Sequence, residues 1–184
     1  KGERRSKRKG QSVEFADYRN YVVGDDLRFL DWNIYARLER LFIKMFYEEE
    51  DLHVNIILDL SKSMDFGDPA KGLYARRVAA ALAYIGLVNY NRVTLTAFSD
   101  RYGPEIAGVR GRRMVHKVLG YLTNLQMDGI GNMGEACRQF AIRHPQRGVC
   151  ILISDFMDKG GFDAGLRYLI GRKYDLYALQ VLSP

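Results

Sequence analysis

From residue 53 onward, short β-rich runs alternate with segments of helical period, and no other feature constrains the possible fold as strongly. The run HVNIILD over 53–59 reads as a core strand. Beyond it, 71–90 carries Val78, Ala81, Leu82, Ile85 and Val88 at i, i+3, i+4, i+7 and i+10, the signature of an amphipathic helix. Further strands are expected over 92–98, 148–154 and 174–182. Helices are expected over 114–125, where Val115, Val118, Leu119, Leu122 and Leu125 share a face, and over 135–143 and 162–171. Strands alternating with helices predict an α/β fold with a parallel or mostly parallel sheet covered on both faces.

A chain of 184 residues is one domain by length, and at that size roughly 70% of the unfolded surface can be buried. With 47% hydrophobic and 27% charged residues it is too apolar for a disordered chain. No run approaches the roughly 20 apolar residues that span a bilayer. Of the net charge of +6, the segment Lys1 to Gly10 supplies six Lys/Arg against one Glu, so the basicity belongs to a tail. Residues 1–11 are expected as a flexible, solvated terminus; contact with nucleic acid or an anionic surface is the alternative. The cluster Arg110, Arg112, Arg113 and Lys117 has no interleaved stacking aromatics. Cys137 and Cys150 fit neither a zinc knuckle nor a redox pair, and reduced packing thiols in a cytoplasmic compartment are expected.

Residues 12–50 form a lead-in to a core over 51–184. The part from 12 to 38 is dense in charge and aromatics without clear period and is expected to be irregular. Its Asp25, Asp26, Arg28, Asp31, Trp32 and Arg37 read as an ion-paired brace rather than a binding site. Runs 41–47 and 53–59, separated by Glu48, Glu49, Glu50 and Asp51, suggest two strands and a charged turn.

Ligands of doubly wound sheets bind outside the carboxyl ends of the strands. Strand 53–59 ends in Asp59 and runs into Asp59-Leu60-Ser61-Lys62-Ser63, and strand 148–154 is followed by Asp155. Two carboxylates and two hydroxyls are hard oxygen donors suited to Mg²⁺ or Mn²⁺. The same residue types also cap helices and turns, and spacing alone does not choose between these roles.

Asp59-x-Ser61-x-Ser63 after an apolar strand, with Asp155 in LISDF, resembles the metal-ion-dependent adhesion site of von Willebrand factor A-like domains. More specifically, EFADYRNYVVGDDLRFLDWNIYAR followed by IILDLSKSM is similar to a bacterial family known as domain of unknown function 58, whose members carry such a domain. The similarity runs from about Ser12 to Asp155. It implies a doubly wound, Rossmann-like sheet of von Willebrand factor A type. It also implies a non-enzymatic protein-interaction module in which Asp59, Ser61, Ser63 and Asp155 hold Mg²⁺ or Mn²⁺. Members of the family are typically encoded beside MoxR-type AAA+ ATPases, which makes such an ATPase the implied partner. Many have membrane helices upstream, so an anchor preceding Lys1 is compatible with this chain.

One departure bears on the metal. The family usually supplies a Thr from a stretch resembling GGTNTGEAL; here 129–136 reads GIGNMGEA, with Gly131 at that position. Glycine brings no side-chain oxygen, which implies a weak or degenerate site unless Asn132 substitutes. The same loop, Gly129-x-Gly131-x-x-Gly134, matches the dinucleotide fingerprint, with Asp155 near the place of a ribose-binding acid, so a nucleotide-binding enzyme is the second reading. That fingerprint needs a strand just before it, whereas 114–125 has helical period. Hydrolytic signatures are absent, and His53, His116 and His144 read as surface or packing residues. Met64, Asp65 and Phe66 are candidates for a partner-binding rim, or for packing beneath the following helix.

Overall fold

The computed structural model describes residues 13–48, 52–172 and 174–183. The basic tail of 1–11 and most of the acidic patch, Glu49, Glu50 and Asp51, lie outside the described residues. The chain falls into two compact units divided between Glu50 and Asp51.

The first unit is not irregular. β1 (Val13–Asn20) pairs antiparallel with β2 (Phe42–Glu48), and α1 (Trp32–Leu38) lies between them in sequence. A register shift between Phe15 and Asp17 interrupts β1. Such a bulge breaks the two-residue alternation by which a strand is recognised, and a seven-residue helix is too short to show a helical period. Asp31 organises this unit. Its Oδ1 accepts from the Asn33 and Ile34 N–H groups at 2.9 and 3.2 Å, capping α1. Its Oδ2 takes the Lys44 ammonium at 3.0 Å and the Tyr18 hydroxyl at 3.1 Å. Of the residues expected to pair with one another, Arg28 and Asp26 do so at 2.6 Å, while Asp25 pairs with Arg19, also at 2.6 Å. These two pairs are exposed, and pairs of that kind contribute little. The two runs expected as strands on either side of the acidic patch are both strands, β2 in the sheet with β1 and the run over 53–59 in the second sheet.

The second unit is a five-stranded sheet in the order β5-β4-β3-β6-β7. Its strands are β3 (His53–Asp59), β4 (Arg92–Phe98), β5 (Tyr102–Val109), β6 (Val149–Ser154) and β7 (Asp175–Gln180). All neighbours are parallel except β4 and β5. α2 (Lys71–Val88) and α3 (Val115–Asn124) cover the face carrying Val54, Ile56, Leu58, Leu95 and Ile153. α4 (Met133–Arg143) and α5 (Asp163–Gly171) cover the face carrying Ile57, Phe98, Cys150 and Leu152. Alternate residues of one strand thus enter two cores, which is why HVNIILD is apolar nearly throughout. The doubly wound, mostly parallel architecture is the one expected. β5 was not: its Gly103, Pro104 and Gly108 depress strand propensity, and an irregular edge strand tolerates them where a central one would not.

Of the stripe assigned to α2, Val78 and Leu82 pack partly buried against the core, but the rest needs correction. Ile85 is 55% and Val88 39% exposed, while Gly72, Ala75, Ala79, Ala83, Gly86 and Leu87 are buried. Period alone admits both stripes; contact with the sheet selects the small one because the helix backbone lies close. A Cβ at Gly86 would stand 2.7 Å from Val93 Cγ2 and 3.8 Å from Val54. On α3, Val118 and Leu122 are buried as expected, but Leu119 is exposed. Among the described residues, no helix is long and apolar enough to cross a membrane.

Two paired outcomes follow. Gly86→Ala is expected to destabilise by about 1–2 kcal/mol despite alanine's better propensity, because β-branched, fully buried Val93 has little room to yield. Gly120→Ala, on the exposed face of α3 with nothing within 4 Å, is expected to stabilise by about 0.5–1 kcal/mol; urea unfolding of both variants measures the contrast. In the first unit, the Lys44 ammonium, supported by the capping N–H groups and the Tyr18 hydroxyl, lowers the Asp31 carboxyl from 3.8 to about 2 despite desolvation. Its contribution to stability is therefore complete above about pH 4 and lost as pH falls through 2. An acid titration followed by NMR should show α1 lost at higher pH in Lys44→Met than in the parent.

Candidate metal centre at the carboxyl edge of the sheet

β3 ends at Asp59, and the chain then turns across the sheet edge under main-chain control. Leu60 N–H donates to Phe98 O at 2.8 Å, Asp128 N–H to Leu60 O at 3.0 Å, and Lys62 N–H to Gly129 O at 3.0 Å. These bonds hold the β3–α2, β4–β5 and α3–α4 loops together. Asp59 is 3% exposed. Its Oδ1 accepts from Ser61 N–H at 2.8 Å, and its Oδ2 from the Ser154 hydroxyl of neighbouring β6 at 2.6 Å. Ser61 precedes a short 3-10 turn, Lys62–Asp65, without capping it through its side chain. The Ser61 and Ser63 hydroxyl oxygens lie 3.0 Å apart.

β6 delivers the second carboxylate. Asp155 is 1% exposed, and the chain turns sharply after it, with Phe156 at φ 59° in the left-handed region. Asp155 Oδ1 accepts from Met157 N–H at 3.0 Å and Oδ2 from the Lys71 ammonium at 2.7 Å, while the Ser63 hydroxyl also bonds to the carboxylate. Contacts therefore chain all four expected residues together: Asp59 to Ser61, Ser61 to Ser63, and Ser63 to Asp155.

Burial pushes the Asp59 carboxyl above its ordinary range, against the hydrogen bonds from Ser154 and Ser61, and the charge of Asp155 adds to the rise. Burial also pushes Asp155 upward, but Lys71, Met157 N–H and Ser63 together outweigh it and leave that carboxyl below its ordinary value. The two acids are thus held in different charge environments by different donors.

A cavity of about 280 Å³ opens over Asp59, Ser61 and Ser63. Gly131 and Asp158 line its far side, and Ile130 and Met157, 70% and 63% exposed, stand at its rim. A Cβ built on Gly131 would lie 3.6 Å from both Ser61 Oγ and Asp158 Oδ2. The position at which the resemblance implies a Thr therefore faces the Ser61 hydroxyl. Asn132 does not make up the missing oxygen, because its Oδ1 accepts from Glu135 N–H at 3.2 Å and caps α4. Across the gap stands the Asp158 carboxylate, held by Met133 N–H at 2.6 Å and Gly160 N–H at 2.7 Å.

These donors suit a hard divalent cation. Oxygens about 2.0–2.1 Å from an octahedral Mg²⁺ and at right angles are separated by about 3.0 Å, and the two serines have that spacing. Among the described residues, no cluster of three or more His, Cys, Asp or Glu forms a denser metal site, so a cation here would rely on hydroxyls, few carboxylates and its own waters.

Other expected chemistry is not assembled. α3 precedes the glycine loop and no strand does, and a Cβ on Gly134 would meet nothing within 4 Å. The dinucleotide fingerprint lacks both its strand and its close helix packing. Cys137 and Cys150 are buried and free; burial pushes the Cys137 thiol up to about 12 and Cys150 also upward, so both remain packing residues. His144 sits 3.0 Å from Glu105 and stacks on Phe140, away from the site residues. Of the rim candidates, Met64 is fully buried and Phe66 is 71% exposed. Sequence reading missed Lys71, Ser154 and Asp158. Only Lys71 carried a signal, being a cation at the start of a helix, where the dipole favours acids.

Residues 17–184 match the family described as Protein of unknown function DUF58. The chain belongs to this family. An uncharacterized protein of Mycobacterium tuberculosis and another of Mycobacterium bovis are each 27% identical over 180 residues, covering 95% of this chain and 56% of theirs. The chain thus spans little more than half the length of these curated relatives. Among solved structures, an aerotolerance-related membrane protein of Bacteroides fragilis is 20% identical with TM-score 0.55, over 71% of this chain and 67% of that one. BatB of Bacteroides thetaiotaomicron is likewise 20% identical with TM-score 0.55, over 70% and 66%. Manganese-loaded TRAP of Plasmodium vivax is 16% identical with TM-score 0.50, over 72% and 57%. These likenesses show that the DUF58 chain shares its fold with proteins of diverse sequence.

Gly131 has ordinary contact distances around a built Cβ and no left-handed backbone. Gly131→Thr is therefore expected to fold with stability within about 1 kcal/mol of the parent and to respond more strongly to Mg²⁺ or Mn²⁺ in thermal melts; a weaker response would mean that the Thr position does not serve the site.

Proposed function

We propose that this chain is a non-enzymatic protein-interaction module that engages its partner at the carboxyl edge of the sheet through a divalent cation. Asp59, Ser61, Ser63 and Asp155 hold Mg²⁺ or Mn²⁺, directly or through water, and a partner carboxylate completes the coordination. The cation supplies a fixed positive charge for that carboxylate, and the chain supplies its position. What carries the reading is the convergence of the Asp59-x-Ser61-x-Ser63 loop with Asp155 beside an open cavity. Exposed Ile130 and Met157 support it further, since they offer a partner apolar area beside the polar centre of the cavity.

The partner we propose is a MoxR-type AAA+ ATPase, on the strength of the family resemblance, acting on the cytoplasmic side of the membrane. Reduced, buried cysteines agree with that compartment.

The test is a thermal melt of chelator-treated protein titrated with Mg²⁺ and Mn²⁺, beside Asp59→Ala. Occupancy at a hundredfold excess over Kd stabilises by about 2.7 kcal/mol, so the parent should show a saturable rise and the variant none. Capture of a co-expressed MoxR-type ATPase should weaken with chelator and with Asp59→Ala; capture indifferent to both would refute the metal-bridged mode.

A further inference from the structure

Lys71 has no local reason to occupy its position. It is the first residue of α2, whose first turn holds no acid and whose N-cap, Ala70, offers no side-chain bond. The helix dipole disfavours a cation there. Yet the side chain is only 11% exposed, and its Nζ lies 2.7 Å from Asp155 Oδ2, on a carboxylate that is 1% exposed. Burying a long cationic side chain costs conformational freedom and hydration, so the placement is explained by the carboxylate it meets.

Two of the site residues are buried acids, of which Asp59 lines the cavity and Asp155 is joined to it through the serines. Asp59 is satisfied by two neutral donors, Ser61 N–H and the Ser154 hydroxyl. Asp155 receives Met157 N–H, the Ser63 hydroxyl and the Lys71 ammonium. Ser63 in turn touches Ser61. The ammonium therefore acts on the same connected set of oxygens that a divalent ion would use.

We propose that Lys71 is the resident cation of this centre: it balances Asp155 when no metal is bound, and a divalent ion binds in competition with it, drawing Asp155 away from the ammonium. The proposal rests on the metal-centre reading above and adds a regulation to it. With Lys71 paired, Asp155 is balanced without metal, and the attraction of the site for a cation, which Lys62 and Lys159 at the cavity wall also oppose, is reduced. Together with Gly131, this makes the centre one that fills only when metal is abundant or when a partner carboxylate adds its own charge.

The test uses Lys71→Met, which keeps the apolar stem and removes the charge, with Lys71→Arg as the charge-preserving control. In chelator, Lys71→Met should melt roughly 5–10 °C below the parent, as expected for a buried charge that has lost its partner. Calorimetric titration with MnCl₂ should show at least about tenfold tighter binding than the parent, since a nearby unit charge has been removed. Saturating Mn²⁺ should close most of the gap in melting temperature, and Lys71→Arg should resemble the parent in both respects. Equal or weaker Mn²⁺ binding by a folded Lys71→Met would overturn the competition. If neither parent nor variant binds Mn²⁺, the metal-centre reading and the competition fall together. The resident-cation role is then decided by the metal-free double-mutant cycle of Lys71→Met with Asp155→Asn. Melting losses that are not additive uphold it; additive losses overturn it.

Discussion

The arrangement at the sheet edge depends on one buried hydrogen bond, from the Ser154 hydroxyl to Asp59 Oδ2 at 2.6 Å. β3 and β6 are neighbours in parallel register, with Leu58 opposite Ile153, so the residues that follow on each strand fall side by side at the edge. The bond neutralises part of the cost of burying a carboxylate and aims its other oxygen at Ser61 N–H. That second bond turns the chain back over the edge and brings the hydroxyls of Ser61 and Ser63 together. Ser154 Oγ also accepts from Phe156 N–H at 2.9 Å, which shapes the turn that presents Asp155. One serine thus sets the geometry of both acid-bearing loops.

Charge decides how that geometry is used. Burial, and to a lesser degree the charge of Asp155, raise the Asp59 carboxyl, and the two acids meet unequal donors: neutral ones for Asp59, an ammonium among those for Asp155. A buried pair of this kind adds little net stability, but it ties the Lys71 ammonium to one of the two acids. Gly131 withdraws one oxygen from the same space and leaves the Asp158 carboxylate across it. Both features would weaken cation binding in the proposed centre, and neither disturbs the loop architecture.

The scaffold reaches this precision through close packing on one side. α2 is the next α-helix after the Asp59–Ser63 loop, and it approaches the sheet on glycine and alanine, so its first residue is held close to the edge. A stripe of larger side chains would lift the helix and with it Lys71. The price is an outer face that leaves Tyr74, Ile85 and Val88 in solvent.

Much of this was legible in the sequence. The order of strands and helices in the second unit follows from local period, since apolar spacing is a property of consecutive residues, and the strand-end acids follow from that order. Asp59, Ser61, Ser63 and Asp155 were therefore visible before any fold was known, because a parallel sheet must bring its strand ends to one edge. Tertiary structure decided the rest. The bulge in β1 and the glycines and proline of β5 hide those strands from a propensity reading. Both stripes of α2 have helical period, and only the distance to Val93 and Val54 selects the small one. Lys71 meets Asp155 across 84 positions of sequence, and Asp158 faces Gly131 across a gap between loops. Pattern along a chain records which residues can face a core; which charges meet at its edge depends on distances that only the folded chain possesses.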